Sequence, residues 1–291
     1  MDCIGSLTRQ TLRPAETILA LDRNEALVRF YKDQMPAYVK IVVSDGYGLS
    51  RARNTGIKNA SGDVIAFIDD DAIADEQWLE NLVVNYDDAS VSGVGGLITP
   101  LWKGKQPIWF PEELFWIVGC SYKGLPEEKS VVRNLIGCNM SFRKSVFEKV
   151  GYFHEGMGRV GKKLSGHEDT EFSVRAARKI AEIKIVYDPS AKVYHRVPRS
   201  RTDLKYVARR SYAEGFSKAI FSSQEANAGK ALNVEKNYLR NLLSASVTDR
   251  LFGNHDSGSI LQIPVLLFST AMVLIGYIVS KCMCTQEQSS S

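Results

Sequence analysis

The order of apolar and polar residues along the chain shows two different periodicities. Short apolar runs alternate with segments whose apolar positions recur every three or four residues, which is typical of strands alternating with amphipathic helices. In the first 100 residues the pattern predicts strands at 17–21, 39–43, 63–68 and 91–98, a helix at 49–60 and a helix after Asp75. Such alternation favours an α/β fold with a mostly parallel sheet flanked by helices.

The pattern is less regular after Pro100. A helix is predicted at 168–180, strand-like runs at 183–187 and 192–195, and an amphipathic helix at 204–220. Six aromatic residues crowd one stretch before these elements: Trp102, Trp109, Phe110, Phe115, Trp116 and Tyr122. They fit either a flap that packs into the core or a surface for a sugar or a lipid.

One C-terminal segment differs from the rest of the chain. Residues 257–280 form a run of 24 residues without a charge. As a helix this run would span about 36 Å, against ~30 Å for the hydrocarbon core of a bilayer. It predicts one transmembrane helix, with a buried core helix as the alternative. Basic residues are plentiful before the run and only Lys281 follows it, so the positive-inside tendency predicts a single-pass protein of the cell membrane with its main domain in the cytoplasm.

The segment before this run is basic. Between Lys192 and Arg210 there are seven Lys or Arg residues and one acidic residue. This charge fits a helix that packs on the main domain with a solvated basic face. It also fits a helix that lies on an anionic membrane surface and meets phosphate-bearing lipids.

Composition narrows the class of protein. With 291 residues, 44% of them hydrophobic and 24% charged, the chain has the values of a globular protein of about two domains. These values exclude a disordered, collagen-like or disulfide-rich chain. A net charge of +4 does not favour a nucleic-acid binder, so no nucleic-acid partner is expected. The five cysteines form no C-x-x-C pair and are typical of reduced thiols.

Three consecutive acidic residues, Asp69, Asp70 and Asp71, follow the clearest of the predicted strands. Adjacent carboxylates repel one another, and a divalent cation such as Mg²⁺ or Mn²⁺ relieves that repulsion. The carboxyl end of a parallel strand is also where open α/β sheets bind ligands. The run therefore indicates a site where a cation holds a substrate diphosphate, with a solvated turn that caps a helix as the alternative.

A second acidic pair, Glu168 and Asp169, begins the helix predicted at 168–180. The positive end of the helix dipole favours an ionised carboxylate there, and such a carboxylate can accept the proton of an attacking hydroxyl. Ordinary acidic enrichment at a helix N-terminus is the alternative.

Four motifs resemble those of family-2 glycosyltransferases, which have the GT-A fold. They are LSRARNTGI at 49–57, GDVIAFIDDD at 62–71, GCNMSFR at 137–143 and GHEDTEF at 166–172. They follow the family's order, and the resemblance extends from the N-terminus to about His195. The C-terminal run is in addition similar to archaeal members that extend dolichyl-phosphate-linked glycans, such as glucuronosyltransferases acting on glucosyl-dolichyl phosphate.

The resemblance implies roles for particular residues. Asp169 would be the catalytic base, with Glu168 beside it. Asp71 would hold the metal ion, and His195 would lie near the metal and the diphosphate. Contacts with the nucleotide-sugar donor are implied for Asp22, Arg53, Asn54, Asp69, Asp70 and Asn139.

One part of the family pattern has no counterpart. Family members open with an apolar strand that forms a wall of the nucleotide pocket, and nothing before Glu16 can supply it. The expected organisation is therefore an incomplete nucleotide-sugar half, an acceptor half, an amphipathic juxtamembrane region, a transmembrane helix and a polar tail, at 1–100, 101–200, 201–256, 257–280 and 281–291.

Together these patterns predict an inverting, metal-dependent glycosyltransferase. Its donor would be a nucleotide sugar, and its acceptor a hydroxyl of a membrane-associated glycan linked to polyprenyl or dolichyl phosphate. Two other functions stay open. A metal-dependent nucleotidyl- or phosphotransferase also uses paired Asp residues after a strand, and the missing strand favours an inactive membrane-anchored scaffold of the same fold.

Overall fold

The computed structural model describes residues 2–158, 166–224, 238–240, 247–252 and 260–289. The chain divides into two compact units, one formed by residues 1–99 and 126–195 and the other by residues 100–125 and 196–291. The two predicted halves at 1–100 and 101–200 thus contribute mainly to one unit, whereas the aromatic stretch after Pro100 belongs to the other.

The first unit alternates strands and helices as the sequence pattern predicts. Its strands are β1 (Thr17–Leu21), β2 (Val39–Val43), β3 (Val64–Ile68), β4 (Ala72–Ala74), β5 (Val91–Trp102), β6 (Ser130–Val131), β7 (Asn139–Arg143) and β8 (Lys184–Val197), of which β5 and β8 run past the limits of the unit. Its helices are α1 (Asp2–Leu7), α2 (Glu25–Lys32), α3 (Leu49–Asn59), α4 (Trp78–Val83), α5 (Lys144–Val150) and α6 (Glu168–Lys179). The two strand-like runs predicted at 183–187 and 192–195 are one continuous strand.

The direction of the strands differs from the expectation of a mostly parallel sheet. The α/β class is confirmed, and β1 and β2 pair in parallel as a two-stranded sheet. The larger sheet has the order β3-β7-β5-β8-β4, with β6 beside β8. In it the pairs β3–β7, β5–β7, β4–β8 and β6–β8 are antiparallel. Strands β7 and β8 return after long excursions of the chain, so no short crossover helix dictates their direction.

An aromatic core fixes the elements that carry the acidic motifs. Phe172 on α6 is fully buried, and its ring centroid lies 4.8 Å from that of Phe147 and 4.9 Å from that of Phe142. Phe172 follows Glu168 by one helical turn, so its packing sets the position of the first turn of α6. Trp78 on α4 is also buried. The helix begins after Gln77, and in the turn before it the Asp75 carboxylate accepts from the Gln77 N–H.

The second unit contains a pair of long helices, α7 (Leu204–Gln224) and, after α8 (Val247–Phe252), α9 (Gln262–Ser289). A Cβ at Gly215 would overlap the Val273 carbonyl, and a Cβ at Gly276 would overlap the Tyr212 carbonyl. The Ser211 hydroxyl lies 2.8 Å from that of Ser269. The predicted face of α7 therefore packs on another helix of its own unit, which it approaches through small residues.

Segment Gln262–Met283 of α9 is long and apolar enough to cross a membrane, with a mean hydropathy of 2.1. Only 28% of this segment is buried, whereas the core helix of a soluble protein is mostly buried. The predicted span begins at residue 257, and residues 257–259 lie outside the described part. Helix α9 continues to Ser289, into the segment expected to be a polar tail.

Part of the aromatic stretch of the second unit is core. Phe110 is fully buried, and its ring centroid lies 5.8 Å from that of Trp102 and 6.2 Å from that of Phe115. These three residues favour the packed flap over an exposed binding surface.

Candidate active site

The acidic turn lies between two strands of the larger sheet. Strand β3 ends at Ile68 and β4 begins at Ala72, so Asp69, Asp70 and Asp71 form the connection. Partial loss of solvation, followed by the charges of Asp71 and Asp69, raises the pKa of Asp70. The repulsion expected from the sequence is therefore present in the folded chain.

Arg53 joins this acidic turn to the second acidic motif. Its Nη1 donates to Glu168 Oε1 at 2.8 Å, and its Nη2 lies 3.4 Å from Asp69 Oδ1. Nη2 also donates to the Gly137 carbonyl at 3.2 Å. A Cβ at Gly137 would lie 2.6 Å from the same Nη2, so glycine lets the backbone approach the guanidinium.

The charge of Arg53 is held by its neighbours. Burial by itself would lower the pKa of the guanidinium, but the carboxylates of Glu168, Asp69 and Asp169 outweigh burial and raise it. Both Arg53 and Glu168 are buried. The three-residue bridge of Asp69, Arg53 and Glu168 is therefore an ionic link that lies mostly out of water.

An unusual backbone conformation precedes helix α6. His167 has φ +82°, which non-glycine residues rarely adopt, and its carbonyl accepts from the Glu171 N–H at 2.8 Å. The helix then starts at Glu168, so Glu168 and Asp169 occupy its first turn as predicted. Strain of this kind persists where the surrounding structure holds it and is frequent at functional sites.

Asp169 is bound differently from Glu168. Its Oδ2 accepts from the Gly137 N–H at 2.8 Å, and its Oδ1 accepts from the Thr170 N–H at 2.7 Å. Burial and then the charge of Glu168 raise the pKa of Asp169, and Arg53 acts in the opposite direction. Asp169 is half-buried, whereas Glu168 is 5% exposed and paired with Arg53. Of the two carboxylates, Asp169 is the more accessible, and it is more basic than an ordinary aspartate.

Metal-binding groups surround the acidic turn. His195 Nε2 lies 3.2 Å from Asp71 Oδ1. One ligand atom from each of Asp69, Cys138 and His195 lies within 4.8 Å of the other two. The carboxylates of Asp69 and Asp71 suit a divalent cation of the Mg²⁺ or Mn²⁺ type, so these residues fit the expected metal.

Cys138 is the member of this group that sequence reasoning misses. Without a second cysteine at metal-site spacing, the sequence presents it as one of several reduced thiols. Its place between Gly137 and Asn139, inside one of the four motifs, is the signal that could have found it.

The other residues for which the resemblance implies contact with the nucleotide-sugar donor make hydrogen bonds within the protein. Asp22, after β1, accepts from the Gly48 N–H at 3.0 Å. The buried Asn54 exchanges two hydrogen bonds with the Phe153 backbone. The fully buried Asn139 donates to the Leu97 and Ala191 carbonyls and accepts from the Trp78 indole. In this arrangement neither asparagine side chain is open to a ligand.

Comparison with known proteins identifies the family of this chain. The model of the family described as "Glycosyl transferase family 2" matches residues 2–151, about half of the chain. The chain belongs to glycosyl transferase family 2. This glycosyltransferase is 32% identical over 284 residues to the glucosyl-dolichyl phosphate glucuronosyltransferase of Haloferax volcanii, covering 95% of this chain and 90% of the relative.

Two further comparisons concern more distant proteins. The glycosyltransferase is 27% identical over 204 residues to the succinoglycan biosynthesis protein ExoM of Rhizobium meliloti, covering 69% of this chain and 62% of that protein. The crystal structure of GalNAc-T7 with UDP, GalNAc and Mn²⁺ aligns with a TM-score of 0.51 at 16% identity, over 85% of this chain and 53% of the other. At this identity the likeness shows the fold, which is GT-A-like.

Proposed function

We propose that this glycosyltransferase moves a sugar from a nucleotide-sugar donor to a hydroxyl of a lipid-linked glycan at a membrane, with inversion at the anomeric carbon. The observation that carries the proposal is the arrangement in which Arg53 links the acidic turn to Glu168, while Asp169 beside them stays half-buried. Similarity to the glucosyl-dolichyl phosphate glucuronosyltransferase of Haloferax supports a dolichyl-phosphate acceptor and a glucuronate donor.

Asp169 has the properties of the general base. In the reaction the acceptor oxygen forms a bond to the anomeric carbon, the bond from that carbon to the diphosphate oxygen breaks, and Asp169 takes the hydroxyl proton. Asp169 Oδ1 accepts from both the N–H and the hydroxyl of Thr170, whereas Oδ2 accepts only from the Gly137 N–H and keeps a second lone pair for that proton. Glu168 accepts a hydrogen bond from Arg53 and acts as a positioning residue for that guanidinium.

The leaving diphosphate requires positive charge close to the acidic turn. We assign Asp71 and His195 to the cation, with Asp69 shared between the cation and Arg53. A bound divalent cation would act as a Lewis acid toward the diphosphate oxygens. Asp70, which is exposed, and Asp22, at the end of β1, remain as polar groups for the donor. The GalNAc-T7 structure, which contains UDP and Mn²⁺, supports a divalent cation beside a nucleotide donor in this fold.

Asp71→Ala is expected to weaken divalent-dependent donor binding at least ~10-fold, because loss of groups that support a metal site already costs that much. Binding is measured by isothermal titration with donor in the presence and absence of Mn²⁺. Asp63→Ala is the matched control, because Asp63 is exposed just before the opposite end of β3. Equal Mn²⁺-dependent binding by parent and Asp71→Ala would remove Asp71 from the cation site.

The decisive activity measurement uses the full chain in detergent with a panel of nucleotide sugars, UDP-glucuronate among them, and a dolichyl-phosphate-linked acceptor. Release of nucleoside diphosphate together with an acceptor enlarged by one sugar supports the proposal. Release of pyrophosphate or nucleoside monophosphate would instead indicate a nucleotidyl- or phosphotransferase. Failure to bind any donor would indicate the inactive scaffold.

We propose further that α9 crosses the cell membrane once, with the catalytic unit in the cytoplasm. Exposed Cys282 near the end of the apolar segment then faces outward. A membrane-impermeant maleimide added to intact cells is expected to label Cys282, as detected by peptide mass spectrometry. Ala89→Cys is the control for the catalytic unit, because position 89 is exposed there, and it should be labelled only after lysis. The reverse labelling order would contradict this topology.

A further inference from the structure

A thiol lies among the hard ligands of the acidic site. One ligand atom from each of Asp69, Cys138 and His195 lies within 4.8 Å of the other two. Cys138 is 4% exposed and His195 is 3% exposed, whereas Asp69 is half-buried. Two of the three side chains are thus withdrawn from bulk water, and the third opens toward solvent.

Strand pairing places these three residues together. In the β3–β7 ladder Ile68 pairs with Asn139, so Asp69 and Cys138 occupy the next opposite positions of the same antiparallel pair. In the β4–β8 ladder Ala72 pairs with His195, which brings the imidazole to the other end of the acidic turn. His195 is thus held within a strand, and Asp69 and Cys138 each lie one residue beyond the end of a paired strand.

The chemistry of this set differs from that of a magnesium site. Mg²⁺ prefers oxygen ligands in an octahedral arrangement, and a thiolate adds little to its affinity. Zn²⁺ takes cysteine sulfur, histidine nitrogen and carboxylate oxygen in a tetrahedron, and three protein ligands leave one position open. Cd²⁺ is a softer ion that shares the preference for thiolate.

We infer that Asp69, Cys138 and His195 form a binding site for a thiophilic divalent cation, Zn²⁺ or its probe Cd²⁺. On binding, the metal–sulfur bond forms and the thiol proton is released to solvent. The fourth position is left for water or for a further oxygen such as that of Asp71, which lies 3.2 Å from His195 Nε2.

Such a site competes with the cation of the sugar transfer. It uses Asp69 and His195, which the proposed function assigns to the Mg²⁺ or Mn²⁺ position, so a bound Zn²⁺ is expected to exclude the activating ion. This consequence for activity rests on the proposed function. The binding of the thiophilic cation does not, because it needs neither donor nor acceptor.

The test is a Cd²⁺ titration of the full-length chain in detergent without nucleotide, followed by the ultraviolet charge-transfer absorbance of the cadmium–thiolate bond and by proton release. In Cys138→Ser, the first and tightest Cd²⁺-binding step is expected to weaken at least ~10-fold, and the charge-transfer absorbance of that step is expected to disappear. Cys3→Ser is the matched control, because Cys3 is another buried thiol subject to the charges of Asp69 and Asp70. Cys3→Ser should titrate like the parent.

X-ray absorption of the parent with one equivalent of Zn²⁺ gives the same answer without a substitution. One sulfur at ~2.3 Å with nitrogen and oxygen neighbours supports the site. A shell of nitrogen and oxygen alone, or a Cys138→Ser variant that keeps the parent's tight Cd²⁺ binding, would overturn it. If the parent shows Cys138-dependent binding but transfers no sugar with Mn²⁺, the thiophilic site stands and the proposed function fails.

Discussion

Asp169→Asn is expected to lower kcat for sugar transfer by about 10²–10⁴-fold, the range that a general base contributes, while donor affinity changes little. The amide cannot accept a proton from the acceptor hydroxyl, so the loss falls on the chemical step and spares ground-state binding. Single-turnover rates with the lipid-linked acceptor, set beside donor Kd values, separate the two quantities. A fully active Asp169→Asn enzyme would exclude Asp169 as the base.

Glu168→Gln is the companion variant. Its amide oxygen can still accept from Arg53, so the position of the guanidinium is retained and a smaller loss of kcat is expected. If Glu168→Gln loses more kcat than Asp169→Asn, the general base is Glu168. Melting temperatures of both variants are needed, because the asparagine oxygen can replace only one of the two carboxylate oxygens that accept from Gly137 and Thr170.

The pH dependence of kcat/KM tests the role of Asp169 independently. Burial, with the charge of Glu168, raises the pKa of Asp169, so the base becomes protonated and inactive at a higher pH than an ordinary aspartate would. We therefore expect kcat/KM to fall as the pH is lowered through that raised pKa, and Asp169→Asn to lack this acid limb. An unchanged acid limb in the variant would assign it to another group.

Arg53→Met is expected to lower the free energy of unfolding by about 3–5 kcal/mol, the cost of removing one partner from a buried ion pair. Glu168 is 5% exposed, so the variant leaves its carboxylate in the interior without the guanidinium at 2.8 Å. Asp69 and the Gly137 carbonyl lose the same donor. Chemical denaturation in detergent, followed through tryptophan fluorescence, to which the buried Trp78 contributes, measures the effect.

The helix that carries Arg53 also carries its control. Arg51 forms ion pairs with Asp45 and Glu155, but its side chain is 36% exposed, so Arg51→Met should cost no more than about 1 kcal/mol. The double variant of Arg53→Met with Glu168→Gln should recover part of the stability, because it removes the unpaired charge. Equal stabilities of the Arg51 and Arg53 variants would show that the buried bridge contributes little.

The sequence by itself located most of the elements of the catalytic unit. Strands β1, β2 and β3 and helices α3 and α6 begin and end within a residue or two of the predicted limits, because side-chain periodicity is a local property of the backbone. The same holds for the two acidic motifs. Asp69 follows a strand and Glu168 opens a helix, and neither position depends on where the rest of the chain lies.

Only the tertiary structure decided which of these residues meet. Arg53 and Glu168 are 115 positions apart, and no local periodicity relates them. The antiparallel pairing of β3 with β7 brings Cys138 beside Asp69, although the sequence pattern favoured parallel strands. The same packing turns Asn54 and Asn139 toward the backbone of neighbouring segments.

The difference between what the sequence determined and what the tertiary structure decided has one physical cause. A strand or a helix is specified by the alternation of its own side chains, whereas strand direction and register depend on contacts made after long excursions of the chain. The sequence therefore determined the identity of the chemical groups, an aspartate run after a strand and a carboxylate pair at a helix start. The tertiary packing places Arg53 of α3 between the two motifs, and it places a cysteine and a histidine beside the aspartate run.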